Sequence, residues 1–164
     1  REIRLWLSLD HENVLKMHGI LTRDDNPFPC LVSDYMENET ADRYLCKPGT
    51  NLIHMICDIA KGLSYIHSRD IAHGDIKANN VLVSSDGRGR IGDFGLSRML
   101  GNNGLALEVT SSDCQRCNRW MAVEYASFDT EGKAPSGPTK PGDVWSFGCT
   151  ILVSRCQRTY SFLT

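Results

Sequence analysis

The octapeptide His73-Gly74-Asp75-Ile76-Lys77-Ala78-Asn79-Asn80, with Asp93-Phe94-Gly95 beginning thirteen residues after it, narrows the folds and chemistries open to this chain more than anything else in it. The first stretch carries a carboxylate, an ammonium two positions on and a carboxamide five positions on. The second places a carboxylate on a Phe-Gly turn, beyond the apolar run Val81-Leu82-Val83. These residue types suit the transfer of a phosphoryl group from a metal-bound nucleotide to a hydroxyl, a reaction in which the protein mainly positions groups and neutralises charge. Asp75 is suited to orient the acceptor hydroxyl and take its proton. Lys77 would place a compact positive charge where the transition state gathers negative charge. Magnesium takes hard oxygen ligands and keeps several waters, so Asn80 and Asp93 are an adequate protein share of its shell. Gly95 lets the backbone turn sharply after the second carboxylate. The competing explanation, a polar loop that holds these residues by accident, has to make both spacings and their order coincidental.

Around that centre the elements follow from pattern. Ile3, Leu5, Trp6 and Leu9 share one helical face and predict a helix over 1–9. Strands are expected at 13–21 and 28–36, parted by Asp24-Asp25-Asn26-Pro27. Leu52, Ile56, Ile59, Leu63 and Ile66 form the stripe of an amphipathic helix whose role is core packing. A short strand should lead into His73. Two small strands near 81–84 and 88–92 are joined at the tight-turn pair Asp86-Gly87. Residues 96–118 are rich in Gly, Asn, Ser and Thr, and 129–142 contain Pro135, Pro138 and Pro141; both are expected to be loops.

Three further stretches carry a resemblance. Leu9-Asp10-His11-Glu12-Asn13-Val14 is similar to the L-x-H-P-N-I that follows the regulatory helix of protein kinases. Arg119-Trp120-Met121-Ala122-Val123-Glu124 is similar to the R-W-M-A-P-E that closes their activation segment. Asp143-Val144-Trp145-Ser146-Phe147-Gly148 is similar to the D-V-W-S-F-G that opens their buried central helix. With the catalytic stretch and DFG, the chain resembles a eukaryotic-type protein kinase domain, nearest the tyrosine-kinase-like group of serine/threonine kinases. The resemblance implies an incomplete α+β bilobal fold. Residues 1–33 would be part of the small lobe, 34–37 the hinge and 38–164 the first part of a mainly helical large lobe. Within the latter fall the catalytic loop 73–80, the activation segment 93–124 and a central helix from about 143.

The same resemblance implies ATP and Mg2+ as cofactors and, as partner, a protein substrate bearing hydroxyl side chains. Lys77 points to Ser/Thr rather than Tyr, while the Arg119–Glu124 stretch occurs in both kinds of kinase and leaves dual specificity open. Asp75 and Lys77 would be catalytic, and Asn80 and Asp93 metal ligands. Asp34 and Met36 would offer hinge backbone to adenine, and Leu82 would lie beneath its ring. Glu2 would pair with the small-lobe lysine, and Ser33 would control access behind the adenine. Trp6, Met17, His73 and Phe94 would stack as an apolar column, and Thr110, Ser111 and Ser112 are candidate phosphosites.

The departures from the pattern matter as well. Gly74 stands where most kinases carry an arginine that receives an activation-loop phosphate. Cys117 stands for a threonine, and a thiol is the weaker hydrogen-bonding group. Val123 stands for the proline before Glu124. The chain contains no G-x-G-x-x-G loop and no V-A-I-K lysine, and it ends sixteen residues after Gly148. It is therefore expected to be a truncated domain of weak or no activity alone, with apolar side chains bare along Val144–Leu152. A kinase-like scaffold without catalysis is the alternative. Four retained polar residues speak against it, and Gly74, Cys117 and Val123 speak for it.

Composition closes off other classes. A net charge of -2 argues against a nucleic-acid partner. No apolar run nears the ~20 residues that cross a bilayer, and no signal-peptide pattern opens the chain, so no membrane partner is expected. Seven cysteines, an odd number, fit reduced thiols and a cytoplasmic location. Cys114 and Cys117 form a C-x-x-C with no second pair at zinc-ribbon spacing. Nothing in the sequence specifies an oligomeric state.

Overall fold

A computed structural model describes residues 2–23, 26–99, 120–122 and 137–161. Helix α1 (Glu2–Leu7) is shorter than the periodicity suggests. Ser8 and Leu9 turn their amides back to Leu5 and Trp6, which closes the last turn and buries Leu9. Strands β1 (Met17–Arg23) and β2 (Asn26–Ser33) form an antiparallel hairpin. Both are displaced from the expected 13–21 and 28–36. The reason lies in where residues 13–15 spend their hydrogen bonds. Asn13 accepts from Ile91 N–H at 2.9 Å and Leu15 donates to Ile91 at 2.8 Å, so this segment bonds to a strand far along the chain.

Helix α2 (Ala41–Leu45) precedes the long α3 (Leu52–Ser68), which starts where Asn51 accepts the amide of His54 at 3.1 Å. The buried face of α3 carries Met55, Asp58, Ile59, Gly62, Leu63 and Ile66. It is turned slightly from the expected stripe, since Ile56 is only half-buried. Burying each large apolar side chain on this face contributes ~1.5–3 kcal/mol. Asp58 is the exception within that face. Its two oxygens take Arg88 Nη1 and Gly89 N–H, both at 3.0 Å.

Strand β3 (Ile71–Ala72) pairs with β6 (Arg98–Met99), and β4 (Val81–Val83) with β5 (Gly89–Ile91), each antiparallel. Ser84 to Arg88 make the expected turn, with Gly87 at φ +79°. Helix α4 (Lys140–Ser161) begins about three residues before the expected start. Thr139 accepts the amide of Asp143 on its carbonyl at 3.0 Å and that of Gly142 on its hydroxyl at 3.1 Å. Pro141 then falls in the first turn, where a missing N–H costs nothing. Val144, Trp145 and Leu152 are exposed on this helix, as the sequence suggests.

The core gathers Leu9, Val14, Leu45, Met55, Ile59, Leu63, Ile66, Ile76, Val81, Ile91 and Phe94, with Leu5, Trp6 and Phe147 packed against it. The segment 9–15 is pressed onto α3 so closely that a Cβ on Gly62 would lie 2.4 Å from the Asn13 carbonyl oxygen. Backbone cannot yield there without breaking the bonds to Ile91. Gly62→Ala should therefore lower the unfolding free energy by ~1–3 kcal/mol despite alanine's better helix propensity. Chemical denaturation would check this, and a stability at or above the parent's would contradict it.

Candidate active site

The loop after β3 is shaped from outside by one carboxylate. Asp143, on the first turn of α4 and 1 % exposed, accepts His73 N–H and Gly74 N–H at 2.8 Å each, one on each oxygen. Its Oδ2 also contacts His67 Nε2 at 2.8 Å. Gly74 has φ +84°, a region that side chains disfavour, so the residue without a Cβ adopts this turn with least strain. Further along α4, the Thr150 hydroxyl donates to the Ser146 carbonyl at 2.8 Å and lies 3.3 Å from the Ile76 carbonyl.

His73 ties that loop to the segment before Asp93. Its Nδ1 accepts Asp75 N–H at 3.2 Å, which leaves Nε2–H to donate to the Gly92 carbonyl at 2.9 Å. Complete burial pushes the imidazole below its ordinary pKa, so the neutral ring with hydrogen on Nε2 satisfies both contacts. Phe94, buried, stands between two rings, its centroid 4.9 Å from His73 and 5.4 Å from Trp6. Trp6 is held in turn by donation from Nε1 to the Leu15 carbonyl at 2.7 Å. Met17 is buried as well.

Inside the loop, Lys77 Nζ and Asn80 Nδ2 meet the same oxygen, Asp75 Oδ2, at 2.6 and 2.7 Å. Asn80 Nδ2 also donates to the Asp75 carbonyl at 2.9 Å. Both amide hydrogens thus serve Asp75, and Oδ1 becomes the Asn80 atom suited to a cation. The backbone of the short 3₁₀ turn Ala78–Asn80 joins the Asp93 segment directly, since Gly92 N–H donates to Asn80 O at 2.9 Å. Asp93 follows in a left-handed conformation, φ +58°, with its carboxylate exposed. Among the described residues no cluster of three His, Cys, Asp or Glu side chains could hold a metal ion. One carboxylate and one carboxamide oxygen instead fit a magnesium ion that takes its other ligands from phosphate and water. Asp75, Lys77, Asn80 and Asp93 therefore belong to one connected stretch of structure.

The residues expected to face the nucleotide base lie at the end of β2, in the segment that follows it, and on β4. Leu82 is half-buried on β4, between Arg90 and a bridge to Thr40. Met36 is buried, and its carbonyl accepts Glu39 N–H at 3.1 Å. The Ser33 hydroxyl reaches the Asp34 carbonyl at 3.4 Å. Asp34 lies between His18 Nε2 at 2.6 Å and Arg90 Nη1 at 2.9 Å, and chiefly the His18 hydrogen bond holds its carboxyl below the usual range. Glu2 opens α1, and its side chain lies outside the described residues, as do Thr110, Ser111, Ser112, Cys114, Cys117, Arg119, Val123 and Glu124.

Sequence reasoning missed the second role of Asp143, which it placed only as the opening of a helix. It also missed Asp58, whose signal was available as a lone carboxylate inside an apolar helical stripe, and Asn13, whose Nδ2 donates to the Gly89 carbonyl at 3.0 Å.

The loop is braced by a distant helix and holds a carboxylate that shares one oxygen with an ammonium and a carboxamide, with a second carboxylate beside a Phe-Gly turn. The family model described as protein tyrosine and serine/threonine kinase matches residues 1–163, and the chain belongs to that family, with its α+β fold in part. It is 37 % identical to Ephrin type-B receptor 3 of Danio rerio over 97 % of this chain and 32 % of the receptor. It is 28 % identical to Tyrosine-protein kinase SPK-1 of Girardia tigrina, over 92 % of this chain and 30 % of that protein. Cell division control protein 7 of Schizosaccharomyces pombe is 32 % identical over 92 % of this chain and 13 % of its own length. The chain thus spans about a third or less of these relatives. Among the described residues no helix is long and apolar enough to cross a membrane.

Proposed function

We propose that this chain carries the catalytic centre of an ATP-dependent protein kinase acting on Ser/Thr hydroxyls of protein substrates. The observation that carries the reading is the convergence of Lys77 Nζ and Asn80 Nδ2 on Asp75 Oδ2, at 2.6 and 2.7 Å. A substrate hydroxyl beside Asp75 is oriented by the carboxylate, which takes its proton as the new bond to the γ-phosphorus forms and the bond to the bridging oxygen of the departing ADP breaks. Lys77 serves two neighbours in succession: it fixes the carboxylate before the reaction and offers positive charge to the phosphoryl oxygens as it proceeds. Asn80, held by its nitrogen, keeps its oxygen available, and with Asp93 it would hold a magnesium ion, which would supply charge neutralisation at the phosphates. Asp34 and Met36 backbone groups and Leu82 receive the adenine.

Lys77 favours Ser/Thr as acceptors, and one relative named above is a tyrosine-protein kinase, so tyrosine peptides belong in the same assay. We place the site in the cytoplasm, on the strength of the scattered cysteines. The test is magnesium-dependent ATP binding by the parent and by Asp93→Asn. The expected result is at least about tenfold weaker binding in the variant, from loss of one charged metal ligand. Equal binding by both would remove Asp93 from the metal role. No binding by the parent would favour the scaffold reading instead.

A further inference from the structure

The hinge segment has a fastening that the phosphoryl-transfer site does not explain. In the β1–β2 hairpin, Met17 pairs with Ser33 and Gly19 with Val32, so His18 is the extra residue of a bulge. A bulge bends its strand and can redirect a side chain that regular pairing would aim elsewhere. Here the His18 ring meets Asp34, the first residue after β2, with Nε2 2.6 Å from Oδ1. The other oxygen, Oδ2, receives Arg90 Nη1 at 2.9 Å. Arg90 lies on β5 directly across from Leu82, the residue assigned to the floor beneath the adenine. One carboxylate thereby joins the small-lobe hairpin, the hinge and the large-lobe hairpin. Neither oxygen duplicates the other's partner. Asp34 also donates its amide to the Lys16 carbonyl, at 3.4 Å, so both its backbone and its side chain are tied to flanking structure.

We infer that Asp34 is a positioning residue for nucleotide binding: its carboxylate clasps His18 and Arg90 and so fixes the backbone of residues 33–36 that meets the base. The inference rests on the reading of that segment as the adenine contact. It assigns the side chain a role apart from the backbone's. Because the clasp is half-exposed, its effect is modest and lies on the base alone, not on the phosphates.

The experiment compares Mg·ATP with Mg·tripolyphosphate by calorimetry in the protein, in Asp34→Asn and in His18→Gln, with thermal unfolding alongside. Asp34→Asn should bind ATP about three- to five-fold more weakly while tripolyphosphate binding stays at the parent's value. His18→Gln, which keeps an N–H donor, should retain most of the ATP affinity. If the parent binds both ligands and Asp34→Asn binds both as well as the parent, the clasp is overturned and the phosphoryl-transfer reading stands. Equal loss of both ligands with earlier unfolding also overturns it, since the role would then be structural. A parent that binds neither ligand overturns the underlying reading and the clasp with it.

Discussion

Asp143→Ala is expected to cost ~3–5 kcal/mol of stability. The carboxylate is buried and accepts two consecutive backbone amides and contacts an imidazole. Alanine would leave the buried His73 N–H and the partly buried Gly74 N–H without an acceptor. It would also release the His73–Asp75 turn that those bonds hold in place. Asp143→Asn should fare little better, because its amide nitrogen would confront a donor on one side. Urea denaturation gives the measurement, and a loss below ~1 kcal/mol would show that the loop holds its shape by other means. Since the loop carries Asp75 and Lys77, nucleotide binding and turnover should fall together with stability.

Asp75→Asn should behave in the opposite way, with fold and nucleotide affinity kept and turnover lost. The substitution is isosteric, and the Asp75 carbonyl that Asn80 also contacts is untouched. What disappears is a group able to take the hydroxyl proton, a contribution of ~10²–10⁴ in rate. The check is kcat for Ser/Thr peptide phosphorylation, measured beside ATP affinity and thermal unfolding. Phosphorylation at the parent's rate would remove Asp75 from catalysis. A parallel collapse of stability would show that the carboxylate acts as a brace, like Asp143.

These two carboxylates differ in how visible they were beforehand. Asp75 announces itself through near neighbours, Lys77 and Asn80, because a loop that must surround one oxygen draws its donors from a few adjacent positions. The long helix α3 was equally plain, since its periodic apolar face needs no distant information. Asp143 was not, because its partners lie about 70 residues earlier and no local pattern reports a bond to a remote amide. The same limit explains residues 13–16. The apolar pair Val14-Leu15 suits a strand, yet it cannot say that residues 13–15 bond to Ile91 in another hairpin. The start of α4 was hidden differently, by prolines that suggest a loop until the first turn of a helix is recognised as a place for them. His18 was invisible for a third reason: a bulge depends on the register of two strands, and register cannot be read from either alone.

Gly74 gives the loop an unusual kind of vulnerability. The missing side chain that makes its left-handed backbone comfortable in the native fold also gives it the widest conformational range once released. Nothing intrinsic to that residue would bring the chain back. Its amide hangs on a single acceptor 69 positions downstream, so the turn at Gly74 and the first turn of α4 should form, and dissolve, as one event.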